Sequence, residues 1–277
     1  MQTLKKMFTM RSAITALVAL LIMIIAAVMY DGHVAGNGFW RGIIIANFSR
    51  SILGVSAWFG DNYGIGIIVF TLLIRLLILP LMVYQTGSMR KMQEIGPALK
   101  KLQEKYSSRD PETMQAMQAE QKQLYKDAGV NPFASFIPLI VQMPILIALY
   151  TAIRTTKLLE TGTFFWVQLG DRDPYFILPI LAALFTFASS YLVMMGQPEK
   201  NGMTTSMTYI MPIMIFIFAI SVPSALSLYW VISNAFQVAQ TWTIQNPFEI
   251  RREREAKKEA ERAKQRAMRK AVRRHKR

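Results

Sequence analysis

The feature that most constrains this chain is a series of long apolar stretches separated by charged segments. A helix needs about 20 mainly apolar residues to cross about 30 Å of hydrocarbon. Six stretches approach or reach that length: residues 12–30, 64–84, 133–153, 175–195, 203–220 and 224–244. Only Ser221, Val222 and Pro223 separate the last two, and because proline ends a helix, these two should form an antiparallel hairpin. The sequence therefore predicts an all-α polytopic membrane protein.

The basic residues are distributed very unevenly along the chain. It has 32 Lys and Arg against 17 Asp and Glu, and residues 251–277 alone carry 14 Lys or Arg and 4 Glu. If the N-terminus is cytoplasmic and the spans alternate, 26 of the 32 basic residues are cytoplasmic, 5 are outside and Arg75 lies within a span. Since cytoplasmic loops of membrane proteins are enriched in Lys and Arg, we expect the C-terminus in the cytoplasm.

The segment before the second span has two parts, each with two interpretations. Residues 1–30 have a basic start and an apolar core, like a signal peptide, but the core is long and no clean small-x-small site follows it. We therefore expect this helix to be retained as an anchor. In residues 31–63, apolar side chains recur at helical spacing over 39–60, which predicts an amphipathic helix in the outer interface or a connecting helix packed on the bundle.

Residues 85–131 form the large cytoplasmic segment. They carry eight Lys or Arg and six Asp or Glu, with many Gln and Met residues, all favourable in helices. The run from Ser107 to Pro111 interrupts the pattern, and Asp110-Pro111-Glu112 is typical of a helix start. The segment is predicted to be a helical hairpin. Four further core spans over 132–245 and a basic tail over 246–277 complete the predicted organisation.

Several chemistries are excluded by residue content. The chain has no Cys and only two His, so thiolate nucleophiles, disulfides and Cys- or His-rich metal sites are ruled out, and we expect no cofactor or metal. Nucleotide-binding, metalloprotease and serine-hydrolase motifs are also lacking. Asp31 and Asp61 resemble an aspartyl-protease pair only superficially, because both are predicted at outer membrane ends. We therefore expect no enzymatic activity.

Arg75 is the candidate functional residue, because it lies near the middle of the second span. A charge at that depth costs about 2.5–3.5 kcal/mol on insertion scales, and such residues usually face a bundle interior or a wet cavity. The other spans contain no charged residue that could pair with it, so a wet cavity is favoured over a buried ion pair. Polar or amphipathic residues that could line the cavity are Thr71, Gln142, Trp230, Asn234, Gln237 and Thr241.

The last four of these residues follow one another at steps of 4, 3 and 4, which places them on one face of the sixth span. Thr186, Ser189 and Ser190 supply a weaker polar stripe in the fourth span. A positive charge in a partly hydrated cleft attracts anionic cargo. A cation channel is therefore disfavoured, whereas an anion or small-molecule transporter remains open, although the chain lacks the inverted repeats of many transporters.

The tail has the composition of a helix but almost no apolar stripe. Its basic residues fit anionic lipid headgroups or RNA phosphates; a solvated tail that only sets topology is the simpler interpretation. DNA is not an expected partner. The candidate contact residues are Arg251, Arg252, Lys257, Lys258, Arg262, Arg269, Lys270, Arg273 and Arg274.

Together these features resemble the YidC/Oxa/Alb family of membrane protein insertases. The closest stretches run from Gly66 to Leu81 around Arg75, from Asn131 to Pro138, and over Gln142-Met143-Pro144-Ile145. Pro212 and the stretch Leu228 to Asn234 complete the resemblance, which covers the chain from about Gly64 to its end. The short segment before Phe39 is similar to Gram-positive members, although the chain has no Cys to lipidate.

The resemblance implies a five-helix core in the bacterial plasma membrane, with a hydrophilic groove open to the cytoplasm and to lipid. In that picture Arg75 attracts the acidic extracytoplasmic tail of a nascent membrane protein, whose apolar segment leaves along the fourth and sixth spans. Gln142 and the Trp230 face would line the groove, and the cytoplasmic hairpin would receive substrate. The ribosome at the tail and the Sec translocon would be partners of this insertase and chaperone.

Overall fold

Helices account for nearly all of the protein. The computed structural model describes residues 2–29, 38–107, 110–196, 202–244 and 246–275, and in this part of the chain the regular elements besides helices are two short strands. The prediction of an all-α membrane protein is confirmed. The helices are α1 (Gln2–Met29), α2 (Ala46–Trp58), α3 (Tyr63–Leu77), α4 (Leu79–Glu94), α5 (Gly96–Lys105), α6 (Pro111–Asp127), α7 (Ile137–Thr155), α8 (Lys157–Thr161), α9 (Ile177–Met195), α10 (Gly202–Ser221), α11 (Ser224–Ile244) and α12 (Pro247–His275).

Two helices are long and apolar enough on their own to cross a membrane, within the residues that the structure describes. They are Ser12–Met29 in α1 and Ile177–Met195 in α9, with mean hydropathies of 2.7 and 2.0. The apolar parts of α7 and α10 are shorter, at Leu139–Thr155 and Thr205–Ser221. Each of the six predicted spans thus coincides with helix. The other four do not reach the length and hydropathy of a membrane span on their own within the described residues.

The second predicted span, 64–84, is divided in two. Its first part is α3, which ends at Leu77, and its second part continues through α4 into the segment predicted to be cytoplasmic. Pro80 explains the division: it lacks an N–H and its ring clashes with the preceding turn, so it is tolerated in the first turn of a new helix. Ile78 still donates to the Ile74 carbonyl oxygen at 3.0 Å, so the division is a kink.

The chain reverses between α2 and α3, and α2 packs on the bundle. A π-helical stretch, Phe39–Ile45, leads into α2, and Phe39–Trp58 makes an angle of 119° with Tyr63–Leu77. The apolar side chains at the start, such as Phe39, are exposed, whereas Ile52 and Val55 are fully buried. The predicted amphipathic helix is therefore present, and its second half is a connecting helix packed against α1 and α3.

Two glycines allow the close packing of α2. A Cβ atom on Gly54 would lie 1.9 Å from the carbonyl oxygen of Ala26 in α1, and one on Gly66 of α3 would lie 1.9 Å from Ser56 Oγ in α2. Ser51 Oγ also donates to the Met23 carbonyl oxygen at 3.2 Å. These contacts fix α1, α2 and α3 as one packed unit.

The end of the bundle at which α3, α9 and α11 begin is covered by residues 156–176, which we call the cap segment. It contains α8, strand β1 (Thr163–Phe164), strand β2 (Val167–Gln168) and a loop into α9; the two strands pair antiparallel. The backbone N–H groups of Ser224 and Ala225 donate to the carbonyl oxygens of Asp171 (2.6 Å) and Leu169 (3.0 Å). The cap segment is thereby tied to the start of α11.

At the opposite end, α5 and α6 form the predicted cytoplasmic hairpin. Asp110 caps α6 by accepting a hydrogen bond from the Thr113 N–H at 2.9 Å, which confirms the predicted helix start. Across the hairpin, Glu120 accepts hydrogen bonds from Lys105 Nζ and the Tyr106 hydroxyl, each at 2.7 Å. Leu102 is the one buried apolar side chain among the described residues of α5 and α6.

Candidate functional site

Arg75 is buried near the end of α3. Its side chain is 8% exposed, and no ion pair joins it in the part of the chain that the structure describes. Its Nε is buried without a hydrogen-bond acceptor there. Buried guanidinium groups are normally paired or hydrogen-bonded. An acceptor from outside the fold, such as water or an anionic group, therefore suits this position.

Thr71 lies one helical turn before Arg75, on the same face of α3. It is fully buried, and its hydroxyl donates to the Ile67 carbonyl oxygen at 2.6 Å. The hydroxyl proton is therefore already used within the helix, and only the oxygen lone pairs remain to face the arginine.

Gln142 of α7 and Tyr229 of α11 meet beside Arg75. Gln142 Nε2 donates to the Tyr229 hydroxyl at 2.8 Å, and Tyr229, which is 1% exposed, interacts electrostatically with Arg75. Arg75 lies about 18 Å along α3 and Tyr229 about 8 Å along α11, counting from the capped end at 1.5 Å per residue. Because side chains lean toward the helix N-terminus, the arginine points toward Tyr229.

Tyr229 begins a second set of buried polar groups on α11. Ser233 and Gln240 follow it at spacings of 4 and 7 residues, so all three share a face. Ser233 Oγ and Gln240 Oε1 are both buried without a hydrogen-bond partner among the described residues. These unpaired groups continue from the level of Arg75 toward the open end of α11, away from the cap segment.

The predicted stripe on α11, which begins at Trp230, faces mainly α10 and α9. Trp230 packs edge-on against Phe218 of α10, with ring centroids 5.5 Å apart. Asn234 Nδ2 donates to Thr186 Oγ1 of α9 at 2.9 Å, which joins it to the weaker polar stripe predicted in the fourth span. Gln237 Nε2 donates to Thr241 Oγ1 at 3.5 Å within α11.

The structure therefore brings Arg75 and Gln142 together through Tyr229. It places Trp230 and Asn234 on the side of α11 that packs on α10 and α9. Tyr229, Ser233 and Gln240 were missed as site residues by sequence reasoning. The 4-and-7 spacing of these three residues is a signal that could have found them, although a tyrosine in an aromatic-rich span does not stand out as polar.

The cap segment closes the site at one end. Leu169, which accepts the Ala225 N–H, is fully buried, and Val167 is 2% exposed. The Phe164 ring lies against Gly64, where a Cβ atom would be 2.1 Å from it. A group approaching Arg75 from this end would have to displace these packed residues, so approach from the other end of the bundle or from its side is easier.

The basic tail is helical and its start is docked. Arg254 Nη1 donates to the Gly196 carbonyl oxygen at the end of α9, and Arg90 of α4 lies 3.7 Å from Glu253. Partial burial and the nearby charge of Arg90 lower the pKa of Arg254. Exposed candidates beyond or beside this docking point are Arg251, Arg252, Lys257, Lys258, Arg262 and Arg269; the side chains of Lys270, Arg273 and Arg274 lie outside the described ones.

Metal and protease chemistry receive no support from the described residues. No group of three or more His, Asp or Glu side chains among them could hold a metal ion. Asp61 is exposed in the turn between α2 and α3, and Asp31 lies outside the described residues. The polar groups at Arg75 are instead suited to binding an anionic or hydrated group.

Comparison with known proteins gives consistent matches. Residues 54–253 match the family described as the 60Kd inner membrane protein. The chain is 62% identical over 222 residues to "Membrane protein insertase YidC 2" of Lactiplantibacillus plantarum, covering 80% of each chain. It is 48% identical to a protein of the same name from Listeria innocua, covering 91% of this chain and 89% of that one.

A further relative is "Membrane protein insertase MisCA" of Bacillus subtilis, 47% identical over 79% of this chain and 84% of that one. Among solved structures, the chain is similar to one described as an active YidC insertase with its first transmembrane domain resolved, with a TM-score of 0.58 and 24% identity. That match covers 74% of this chain and 47% of the other, and it supports the fold.

Proposed function

Since the chain belongs to the YidC family of membrane protein insertases, we propose that it moves nascent membrane proteins from the cytoplasm into the bilayer. The resemblance predicted from the Arg75 and Gln142 segments is confirmed by these comparisons. The family's description as an inner membrane protein accords with the apolar helices α1 and α9. The protein works by binding and guiding its substrate, and we propose no covalent step.

The observation that carries the mechanism is the buried guanidinium of Arg75, which has no ion pair among the described residues and whose Nε has no hydrogen-bond acceptor there. A cation in a low-dielectric surrounding attracts carboxylates strongly, and an acidic extracytoplasmic tail of a substrate supplies them. Binding the tail at Arg75 removes most of the penalty of moving its charges to mid-membrane depth. The buried polar groups of Ser233 and Gln240 lie on the path toward that position from the open end.

The Gln142–Tyr229 hydrogen bond and the cap segment set the end of this path. Both lie beyond Arg75 on the side where α3 and α11 begin. The acidic tail therefore pauses at Arg75 while the apolar segment that follows it leaves sideways. The fourth and sixth predicted spans, α9 and α11, flank this exit, and the outward face of α9 offers exposed apolar side chains to both lipid and substrate.

Reconstitution into liposomes tests this mechanism. A freshly translated single-span protein with an acidic N-tail is added, and protection of the tail from protease is measured for wild type, Arg75→Lys and Arg75→Ala. We expect full protection, partial protection and little protection, in that order, because the charge matters more than the guanidinium shape. Equal insertion by the Lys and Ala variants would contradict a role for the charge.

An anion transporter is the alternative that the same arginine allows. It predicts saturable flux of a small anion through liposomes that contain only this protein, and an insertase predicts none. Protection of the acidic tail without anion flux supports the insertase. Anion flux that is abolished by Arg75→Ala, without any protection of the acidic tail, would overturn the insertase proposal.

The basic tail suggests further partners for the protein. We propose that α12 binds ribosomal RNA phosphate at the cytoplasmic face, with anionic lipids as a competing partner and the Sec translocon as an assisting one. A contact that neutralises several phosphates weakens steeply with salt. Ribosome co-sedimentation with proteoliposomes should therefore fall on replacing Lys257, Lys258 and Arg262 by Gln, and unchanged binding would exclude the tail.

A further inference from the structure

The cap segment carries an exposed aromatic tip that the insertion mechanism does not use. Phe165 occupies the turn between β1 and β2 and is 83% exposed, and its neighbour Trp166 is 39% exposed. Tyr175 and Phe176, at the start of α9, are 66% and 44% exposed. These four residues, which we call the aromatic rim, place large apolar rings on the surface at the closed end of the bundle.

The backbone is strained at two of these four residues. Phe165 has φ of 50° and Phe176 has φ of 56°, left-handed values that are uncommon for bulky residues. A two-residue hairpin turn normally uses Gly, Asn or Asp at such a position. The Phe165 ring packs edge-on against Phe164 at 4.5 Å and stacks with Trp166 at 6.0 Å, so the rings form a rigid group.

The Trp166 indole N–H and the Asp173 carboxylate are already hydrogen-bonded within the protein. Trp166 Nε1 donates to Asp173 Oδ1 at 2.9 Å. Asp173 also accepts the N–H groups of Tyr175 (3.0 Å) and Leu178 (2.7 Å), which joins the hairpin to the first turn of α9. Residues 161–170 contain no charged side chain, so the hairpin tip itself offers apolar area without charge; the exposed Asp171 and Arg172 follow it before α9.

The aromatic rim is continuous with the membrane-facing side of α9. Ile177, Ile180 and Leu184 are 39%, 46% and 57% exposed and follow one another at helical spacing, and α9 is apolar enough to span a membrane. Tyr175 and Phe176 immediately precede this stripe along the chain. Aromatic residues with an apolar body are enriched at the level of the lipid headgroups.

We propose that the aromatic rim inserts into the headgroup region of the outer leaflet and holds the closed end of the bundle at a fixed depth. Phe164 locks the hairpin against α3 at Gly64, and Asp173 locks it to α9. The rim therefore sets the depth of both helices together, and with them the distance of Arg75 from the outer surface.

Depth measurement by spin labelling tests this proposal, because the chain has no native Cys. A label at Gln168→Cys, in β2, keeps all four rings. Its relative accessibility to oxygen and to a water-soluble nickel complex is measured in liposomes that contain only this protein and lipid. Leu184→Cys on α9 and Gln118→Cys on α6 provide the lipid and water references.

We expect the Gln168 label to lie between the two references, and to shift to the water reference on adding Phe165→Ser. Phe165→Tyr keeps an interfacial aromatic ring and should leave the depth unchanged. An unaltered helical circular dichroism spectrum of the same variants shows that the fold is retained. A Gln168 label at the water value in the otherwise wild-type protein overturns the proposal, and leaves a protein partner for the rim; indifference to Phe165→Ser also overturns it.

Discussion

Arg75 lies among neutral polar groups in the described part of the chain, and in the proposed mechanism an acidic segment of the substrate supplies its counter-charge. The Tyr229 hydroxyl, which accepts a hydrogen bond from Gln142 Nε2 at 2.8 Å, interacts electrostatically with Arg75. A neutral neighbour can orient a guanidinium without neutralising it. We propose that the site thereby keeps an attraction for an acidic substrate, which a carboxylate partner within the fold would have removed.

The Gln142–Tyr229 pair should behave as a coupled unit. Tyr229→Phe leaves the Gln142 amide without its acceptor, and Gln142→Leu leaves the tyrosine hydroxyl without its donor. Because hydrogen bonds between membrane helices contribute about 0.6–2 kcal/mol, we expect each single change to lower the free energy of unfolding by about 1 kcal/mol. The double variant should lose less than the sum, as measured by reversible unfolding of the full chain in micelles.

Strict additivity of the two changes would contradict direct coupling across α7 and α11. Ser227→Ala provides a matched comparison on α11, because the Ser227 hydroxyl is also buried but donates to the Ala219 carbonyl oxygen. Its effect should add to that of Gln142→Leu.

At the residue scale, sequence reasoning found what stands out against an apolar background. Arg75 and Gln142 are unmistakable inside long apolar runs, and the structure brings both to one place. Tyr229 and Ser233 do not stand out, because a tyrosine scores as apolar and an isolated serine usually bonds to its own helix. The rotation of α11 about its axis depends on tertiary packing against α3, α7 and α9, and spacing alone could not tell which polar face meets the arginine.

At the element scale, the contact between α1 and α2 depends on the lack of a side chain at Gly54. An added Cβ would lie 1.9 Å from the Ala26 carbonyl oxygen, which is backbone and cannot move alone. We expect Gly54→Ala to lower the free energy of unfolding by about 1–3 kcal/mol, as in other overpacked cores. Gly87→Ala in α4 meets nothing within 4 Å and should be neutral or stabilising by up to about 1 kcal/mol.

Reversible unfolding of both variants under one condition checks this pair, and equal stability of the two would refute the close contact. The same contact bears on the fate of α1. Cleavage after the first helix would remove the contacts that Ser51 and Gly54 of α2 make with Met23 and Ala26, so the packing favours retention of α1 as an anchor.

The cytoplasmic hairpin should loosen at acidic pH. The hydrogen bonds from Lys105 and then Tyr106 lower the pKa of Glu120, and the bond to Glu120 raises the pKa of Lys105. The carboxylate contact therefore stabilises the hairpin above the unfolded-state pKa of glutamate, about 4.3, and is lost as pH falls through the lower folded-state pKa. The lysine contribution is lost only as pH rises through its raised folded-state pKa, above about 10.4.

Spin-label distances between Gln103→Cys on α5 and Gln118→Cys on α6 measure this opening in the full chain. The distribution should be narrow at pH 7 and broaden below about pH 4. With Glu120→Gln it should be broader at pH 7 and change little with acid. A wild-type distribution that stays narrow at pH 3 would show that Leu102 and its apolar neighbours hold the hairpin alone.

At the scale of the whole molecule, the fold class and the order of the helices were predictable, whereas the membrane spans were less uniform than expected. Hydropathy and charge predicted six helical regions, and helices occupy all six. Among the described residues, only α1 and α9 satisfy the length and composition of a membrane span on their own. Two other features have local causes: Pro80 sets the kink at Ile78, and the packing of α11 on its neighbours sets which of its polar faces meets Arg75.

The charge asymmetry of the whole chain predicts that the hairpin and the basic tail both lie in the cytoplasm and that the cap segment lies outside. Because the chain has no native Cys, single cysteines at Gln118 on α6 and Thr161 in the cap segment report each side without interference. In intact cells a membrane-impermeant maleimide should label Thr161→Cys at once and Gln118→Cys only after permeabilisation. Labelling of both positions from one side would mean that the two ends of the bundle do not lie across the membrane from each other. That arrangement would also oppose the positive-inside rule.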